Sequence, residues 1–186
     1  VASRAMANAS TAVKNEALLA AADLLEVRSG ELLTANAQDV SSAEANGIAP
    51  GLIDRLRLSP ERVTAMADGL RQVATLADPV GEVMSGWVRP NGLRITQVRV
   101  PLGVVAIIYE SRPNVTSDAA GLCLKSGNAA FLRGSGSAIN SNLAIGEVLR
   151  EAVTKAGLPT DAVIVVDDVS REAATEFMRQ RGFIDV

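Results

Sequence analysis

Val104-Val105-Ala106-Ile107-Ile108-Tyr109 is an unbroken apolar run, followed by Glu110-Ser111-Arg112-Pro113-Asn114 and then, from Thr116 to Lys125, by a helical pattern. A short continuous apolar run reads as a strand covered on both faces. Gly127 supplies the left-handed position after that helix. Ala129 to Arg133 reads as a second strand, Gly134-Ser135-Gly136-Ser137 as a tight turn, and the residues up to about Ala156 as a second helix closed by Gly157 and Pro159. Val163 to Val166 forms a third strand, Ser170 caps a further helix, and Phe183 opens a fourth strand. Strands alternating with helices of this length pair in parallel through right-handed crossovers.

Upstream the texture differs. Val13, Ala17, Ala20, Ala21 and Leu24 fall on one helical face, and Leu32, Leu33, Val40 and Ala43 mark a looser second helix that stops near Asn46-Gly47. Ser59-Pro60-Glu61 combines a capping hydroxyl, a proline at the first position and an acid near the positive end of a helix. Val63, Met66, Ala67, Leu70 and Val73 give that helix its stripe, and Asp78-Pro79 ends it. Between the halves, Asn91-Gly92 joins two extended runs, which predicts a β-hairpin with a type I′ turn. Neither face of the hairpin is cleanly apolar, so it must lie on another surface, in this chain or in a partner subunit. These shifts divide the chain into a helical segment (1–82), a hairpin (83–100) and an alternating strand–helix part (101–186).

Bulk composition narrows the functions. The chain has 186 residues, 48% apolar and 21% charged, with a formal net charge of -3. That describes a globular protein of one domain or slightly more. It carries no electrostatic footprint for nucleic acid, and aromatics at 3% argue against base-stacking platforms. No run of about twenty apolar residues could span a bilayer. One Cys and no His exclude an internal disulfide framework, His-based triads and His metal sites. The expectation is a cytoplasmic protein that is not a metalloenzyme. The first stretch does not read as a signal peptide. Both ends, most of all the C-terminus, are expected to be cut.

Ligands of open parallel sheets bind beyond the carboxyl ends of the strands. Two such ends carry polar residues. Asn114 is either the N-terminal cap of its helix or an amide donor for a developing oxyanion. Arg133 is either a surface charge or a cation for a phosphate or ribose. Gly134-Ser135-Gly136-Ser137 could cradle a phosphate with backbone N–H groups or be a plain loop. No G-x-G-x-x-G follows the first strand. Cys123, inside an apolar helix, reads as a buried structural thiol.

The segment Val100 to Thr116, with Leu122-Cys123-Leu124-Lys125-Ser126-Gly127-Asn128-Ala129, resembles the gamma-glutamyl phosphate reductase family of the aldehyde dehydrogenase superfamily. Asn36-Ala37-Gln38-Asp39-Val40, Ile53-Asp54-Arg55-Leu56, Ala77-Asp78-Pro79-Val80-Gly81 and Asn91-Gly92-Leu93 fit the same family, so the resemblance runs from near residue 12 to the last residue. It implies a doubly wound, Rossmann-like parallel sheet as an incomplete cofactor domain, with residues 1–82 as its helical part and 83–100 as an oligomerisation arm. It implies NADPH-dependent reduction of L-glutamate 5-phosphate to L-glutamate 5-semialdehyde with phosphate release, in proline biosynthesis. The implied chemistry uses a cysteine thiolate, an acyl-thioester and hydride transfer, but Cys123 does not match that cysteine, which lies further downstream in the family. The isolated chain is therefore expected to be inactive and to bind NADPH weakly.

The same resemblance makes Asn114 the oxyanion donor and places Ser111, Arg112 and Pro113 on the nicotinamide side of the cleft. It puts Arg133 on the adenosine ribose, with Gly134, Ser135 and Gly136 in the adjoining turn. Where many NAD-using relatives carry a glutamate, this chain has Gly136; a carboxylate would repel a 2′-phosphate, whereas glycine leaves room and Arg133 can pair with it. A homodimer or larger homo-oligomer, and glutamate 5-kinase as a further partner, are implied as well. Two rivals stand beside this reading: a general NAD(P)-dependent aldehyde dehydrogenase, and a stand-alone, non-catalytic binding domain.

Overall fold

The computed structural model describes residues 1–186. Five helices come first: α1 (Ala2–Ala7), α2 (Thr11–Val27), α3 (Ser29–Ala45), α4 (Pro50–Leu56) and α5 (Pro60–Thr75). An antiparallel ribbon follows, β1 (Val83–Val88) with β2 (Arg94–Val98). Then come β3 (Val104–Ile108), α6 (Asn114–Lys125), β4 (Ala129–Arg133), a 3-10 turn (Gly136–Ala138), α7 (Ile139–Lys155), a second 3-10 turn (Thr160–Ala162), β5 (Val163–Val165) and α8 (Arg171–Met178). The short helices α1 and α4 are too brief to show a periodic stripe, and sequence reading misses both.

The parallel sheet has the order β3-β4-β5. On the free edge of β3, Val186 N–H donates to Val104 O and Val186 O accepts from Ala106 N–H. Chain order therefore reverses at β3, as in doubly wound folds, and the carboxyl end of β3 is the switch point at which such sheets bind ligands. The fourth strand begins later than expected: Phe183 N–H donates to Gln180 O in a turn, and pairing with β3 starts only at Asp185.

Alternation along β4 sends Ala130 and Leu132 to one face and Phe131 to the other. Ala130 and Leu132 join a core with Leu124 of α6 and Leu149 of α7, while Phe131 stacks on Phe177 of α8 with ring centroids 4.5 Å apart. The same core takes in Leu18, Leu25, Val63 and Leu70, so α2 and α5 form a second helical layer over α6 and α7. The N-terminal helices and the sheet thus share one hydrophobic interior. Close approach makes this possible: a Cβ on Gly121 of α6 would lie 2.6 Å from Leu70 Cδ2. Most predicted stripe residues are buried, but Leu33 of α3 and Val73 of α5 are only half-buried, and α2 turns Leu18, Ala22 and Leu25 inward and leaves Val13, Ala20 and Leu24 half-buried.

The ribbon turn differs from the expected type I′. Gly92 N–H donates to Arg89 O, Gly92 has φ +85, and no non-glycine residue has positive φ. Pro90 holds the first central position at negative φ and Asn91 follows it, which gives a three-residue loop with a glycine bulge. Asn91 Oδ1 accepts from Leu93 N–H to close the loop. Both ribbon faces are exposed, including Trp87, Val88 and Val98, and only Ile95 is half-buried.

Two buried polar clusters bind the layers. On α3, Asn36 Oδ1 accepts from Leu58 N–H, and its amide donates to Leu56 O and Ser141 Oγ. One turn later Asp39 accepts from the N–H and amide of Asn140 and from the N–H and hydroxyl of Ser141, capping α7 from a distant helix. The second cluster centres on Asp78, which accepts from Lys14 Nζ at 2.6 Å, from Thr11 Oγ1 and from Val80 N–H. Burial alone would raise the Asp78 carboxyl, but the Lys14, Thr11 and Val80 donors outweigh it and hold it below its usual range. A carboxyl lowered on folding adds stability above the ordinary carboxylate range, and that contribution disappears as pH falls through the lowered value. Asp78→Asn strands the fully buried Lys14 ammonium. It should lower stability by about 3–5 kcal/mol at neutral pH, read from the urea midpoint; a loss under about 1 kcal/mol would show the pair to be no more than a surface contact.

Candidate functional site

Beyond the end of β3 the backbone turns tightly: Glu110 O accepts from Arg112 N–H, Arg112 O from Val115 N–H and Pro113 O from Thr116 N–H. Pro113, in helical conformation at φ -58, precedes the first residue of α6 and offers no capping side chain. Asn114 is that first residue. Its side chain caps nothing: Nδ2 donates to Asp118 Oδ2 one turn on, at 3.0 Å. Of the two readings of Asn114, the cap is therefore excluded, and the amide sits exposed at the switch point with its second N–H free. Ser111 lies half-buried in the same turn.

The turn is held from beneath by a relay. Tyr109 hydroxyl meets Thr116 Oγ1 at 2.7 Å, and Thr116 Oγ1 donates to Asn142 Oδ1 at 3.1 Å. This chain of side chains joins β3, α6 and α7. Burial raises the Tyr109 phenol, with Thr116 offsetting part of the rise. The relay also links the two strand ends singled out from sequence, because Gly134 lies directly against Asn142 Nδ2 and the Tyr109 ring; a Cβ there would overlap the amide and reach 3.0 Å from Tyr109 Cε2.

At the second strand end, Arg133 is not a free surface charge. Its Nη2 donates to Val169 O at 3.1 Å and Ser170 O at 2.7 Å, tethering the loop before α8, and its Nε is buried without a partner. Asn142 Nδ2 is likewise buried and unpaired. Ser135 Oγ accepts from Ser137 N–H, while the N–H groups of Gly134 and Ser135 have no acceptor in the chain. Gly136 departs from expectation. The room ascribed to it is taken by Val169, whose Cβ would lie 3.2 Å from an added Cβ.

Arg112, Asn114 and Asp118 face α4 and α5 across a cleft of 350 Å³, which is also lined by Asp54, Arg55, Arg57, Arg62 and Met66. Sequence reading placed no site residue on α4 or α5. Ile53-Asp54-Arg55-Leu56 could be recognised as a family signature, but nothing local says that it lies opposite Asn114. Arg62 is spent on Asp54, bonding its backbone O and its carboxylate, and Arg57 pairs with Glu44. Arg55 and Arg112 share one acid, Glu110, at 3.7 Å and 2.9 Å. Asp118 forms no ion pair; its carboxyl is raised, first by lost hydration and against the Asn114 amide. No helix is long and apolar enough to cross a membrane, and no three His, Cys, Asp or Glu side chains gather as a metal site.

A doubly wound sheet with an exposed asparagine amide at its switch point and a helical layer behind it is the architecture of a known class. The family description "Aldehyde dehydrogenase family" matches residues 1–185, and this chain belongs to that family. Within it, the chain is 51% identical over 185 residues to the gamma-glutamyl phosphate reductase of Syntrophomonas wolfei, covering 100% of this chain and 44% of that protein. It is 54% identical over 173 residues to the one from Thermobifida fusca, covering 93% and 41%. The crystal structure of gamma-glutamyl phosphate reductase from Thermotoga maritima superposes with a TM-score of 0.96 at 43% identity, over 98% of this chain and 44% of that one. The chain thus spans less than half the length of the curated relatives it matches.

Cys123, the only cysteine, lies on the inner face of α6 at 6% exposure among Leu and Ala side chains. Burial pushes its thiol up to about 11. A thiol so placed is almost wholly protonated at neutral pH and cannot serve as a nucleophile. Iodoacetamide at neutral pH should leave the folded protein unlabelled at Cys123 and label it once denatured; rapid native labelling would contradict the buried position.

Proposed function

We propose that this chain is the cofactor-domain part of an NADPH-dependent reductase that converts L-glutamate 5-phosphate to L-glutamate 5-semialdehyde and phosphate, a step of proline biosynthesis. The observation that carries the reading is the Asn114 amide, held by Asp118 at the switch point beside a charged cleft. The relatives named above support the substrate. On this reading residues 1–82 are the helical part of the cofactor domain, 83–100 an arm between subunits of a homodimer or larger homo-oligomer, and 101–186 the nucleotide-binding sheet of a cytoplasmic enzyme. Glutamate 5-kinase, whose product is the substrate, is a further partner.

The residues at the sheet's carboxyl edge fit a phosphate-bearing nucleotide. The N–H groups of Gly134 and Ser135 lack acceptors, and Arg133 Nε and Asn142 Nδ2 are buried donors without partners. The two buried side-chain donors call for an acceptor, because leaving one unpaired costs about 1–3 kcal/mol, and the two backbone N–H groups are free to take an anion beside them. Arg133, Gly134, Ser135 and Gly136 would hold the adenosine end, and Ser111, Arg112 and Pro113 would line the nicotinamide. Positive charge at Arg133 and the lack of a carboxylate at Gly136 favour the 2′-phosphate of NADPH. When bound, the cofactor supplies a hydride.

Asn114 acts when the acyl carbon becomes tetrahedral. Its free N–H is aimed by the Asp118 hydrogen bond, so the donor is in place before negative charge appears on the acyl oxygen. The amide is neutral and gains most when charge develops, which lowers the barrier instead of merely tightening substrate binding. The nucleophile comes from outside these 186 residues, since Cys123 is buried and protonated.

In the full-length enzyme, Asn114→Ala should reduce kcat by about 10²–10³-fold with little change in KM, measured as NADP⁺ reduction in the presence of aldehyde and phosphate. A change confined to KM would remove Asn114 from the oxyanion role. Cofactor titration of the same enzyme should favour NADPH over NADH; the reverse preference would support a general NAD-using aldehyde dehydrogenase. The 186-residue polypeptide by itself should show no turnover.

A further inference from the structure

The cleft between α6 and the α4–α5 turn has a charge pattern that the oxyanion role of Asn114 does not use. Most of its ions cancel locally: Arg62 against Asp54, and Arg57 against Glu44. Two do not. Arg55 and Arg112 divide a single carboxylate, Glu110, which leaves one positive charge in surplus. Asp118 has no cationic partner; only its Oδ2 is engaged, by Asn114, while Oδ1 makes no hydrogen bond and faces Gly69 of α5. The cleft therefore offers one uncompensated cation and one uncompensated anion a short way from the amide that addresses the reacting carbonyl.

We propose that this pair is the specificity site for the α-amino acid end of the substrate, with Asp118 taking the α-ammonium and Arg112, supported by Arg55, taking the α-carboxylate. The proposal rests on the activity assigned above and names the groups that select its substrate. Dimensions agree with it. In a five-carbon substrate the acyl carbon and the α-carbon are three carbon–carbon bonds apart, about 4 Å when extended. The Asn114 amide and the Asp118 carboxylate are in direct contact, Nδ2 to Oδ2 at 3.0 Å. With its acyl oxygen on the free Asn114 N–H, such a chain is long enough to bring the ammonium, one bond beyond the α-carbon, round to Oδ1. An ammonium also restores what Asp118 lacks: its carboxyl is held up by poor hydration, and a bound cation favours the ionised form. A purely aliphatic aldehyde would leave both charges unanswered, so the site discriminates by the penalty it imposes on substrates without the zwitterion.

The test uses the full-length enzyme in the aldehyde-oxidising direction, with phosphate and NADP⁺, and three aldehydes of equal length. L-glutamate 5-semialdehyde carries both charged groups, 5-oxopentanoate only the carboxylate, and pentanal neither. Asp118→Asn keeps the shape and the contact to Asn114. It should raise KM for the semialdehyde about 10–100-fold, the loss of a charge-assisted hydrogen bond, and leave KM for 5-oxopentanoate and pentanal little changed, while any loss of kcat from a weaker hold on Asn114 should be the same for all three aldehydes. Arg112→Gln, and to a lesser degree Arg55→Gln, should raise KM for both acids and not for pentanal. If Asp118→Asn leaves KM for the semialdehyde unchanged, or changes it no more than KM for 5-oxopentanoate and pentanal, Asp118 serves only to aim Asn114 and the ammonium assignment is overturned. If Arg112→Gln raises KM for phosphate and spares the acids, the arginines hold the phosphoryl group and the carboxylate assignment is overturned. A wild-type enzyme that oxidises pentanal but never the semialdehyde would refute the activity itself, an outcome separate from either of these.

Discussion

The close contact of α6 with α5 governs most of what the molecule can do. At Gly121 the backbone of α6 passes close to Leu70 of α5, where a Cβ would lie 2.6 Å from Cδ2, and the first turn of α6 lines a cleft with the α4–α5 corner. Asn114 and Asp118 sit on that turn. Had the helices stood a methyl group further apart, the sheet would survive, but the amide at its switch point would face open solvent instead of a cleft with opposite charges. A packing constraint in the interior thus becomes an electrostatic one at the surface.

The polar clusters work in the same direction. Asn36 and Asp39 project from α3 to fasten the α4–α5 linker and the first turn of α7. Tyr109, Thr116 and Asn142 tie the carboxyl ends of β3 and β4 to the helices that follow them. Lys14 and Asp78 close the far end, next to Lys125, whose ammonium donates to Asn15 Oδ1 and Ala74 O and is pushed below its usual range, mainly by burial. Each cluster joins separate elements of the fold. Two buried side-chain donors are left with neither a hydrogen bond nor an ion pair, Arg133 Nε and Asn142 Nδ2, both at the carboxyl edge of the sheet. Unsatisfied donors collect where a ligand is expected and nowhere else in the interior.

Much of this was legible from the chain alone. The strand–helix alternation after residue 101, the capping of α5 by Ser59 and of α8 by Ser170, and the burial of Cys123 all follow from periodicity and local hydrogen-bonding preference. Such features depend on neighbours a few residues apart, so pattern is enough. Where local pattern misled, a nearby residue had overruled it: Pro90 moved the ribbon turn one residue upstream of Asn91-Gly92, and the turn at Gln180 delayed the last strand past Phe183. Arg133 was read as either solvated or ligand-binding, yet Nη2 was already committed to loop carbonyls that no sequence spacing reveals.

The sequence by itself determined a parallel α/β sheet led by helices, one buried thiol, and an asparagine at the end of the first strand, because these are properties of short windows with fixed periods. Only the tertiary structure decided that Asn114 is not a cap, that Val169 occupies the space beside Gly136, and that Arg55 and Arg112 compete for Glu110 while Asp118 goes without a cation. Those outcomes are balances among side chains that meet only after α4, α5 and α6 have packed. Charge pairing across a cleft is set by separation in space, and separation in space is fixed last.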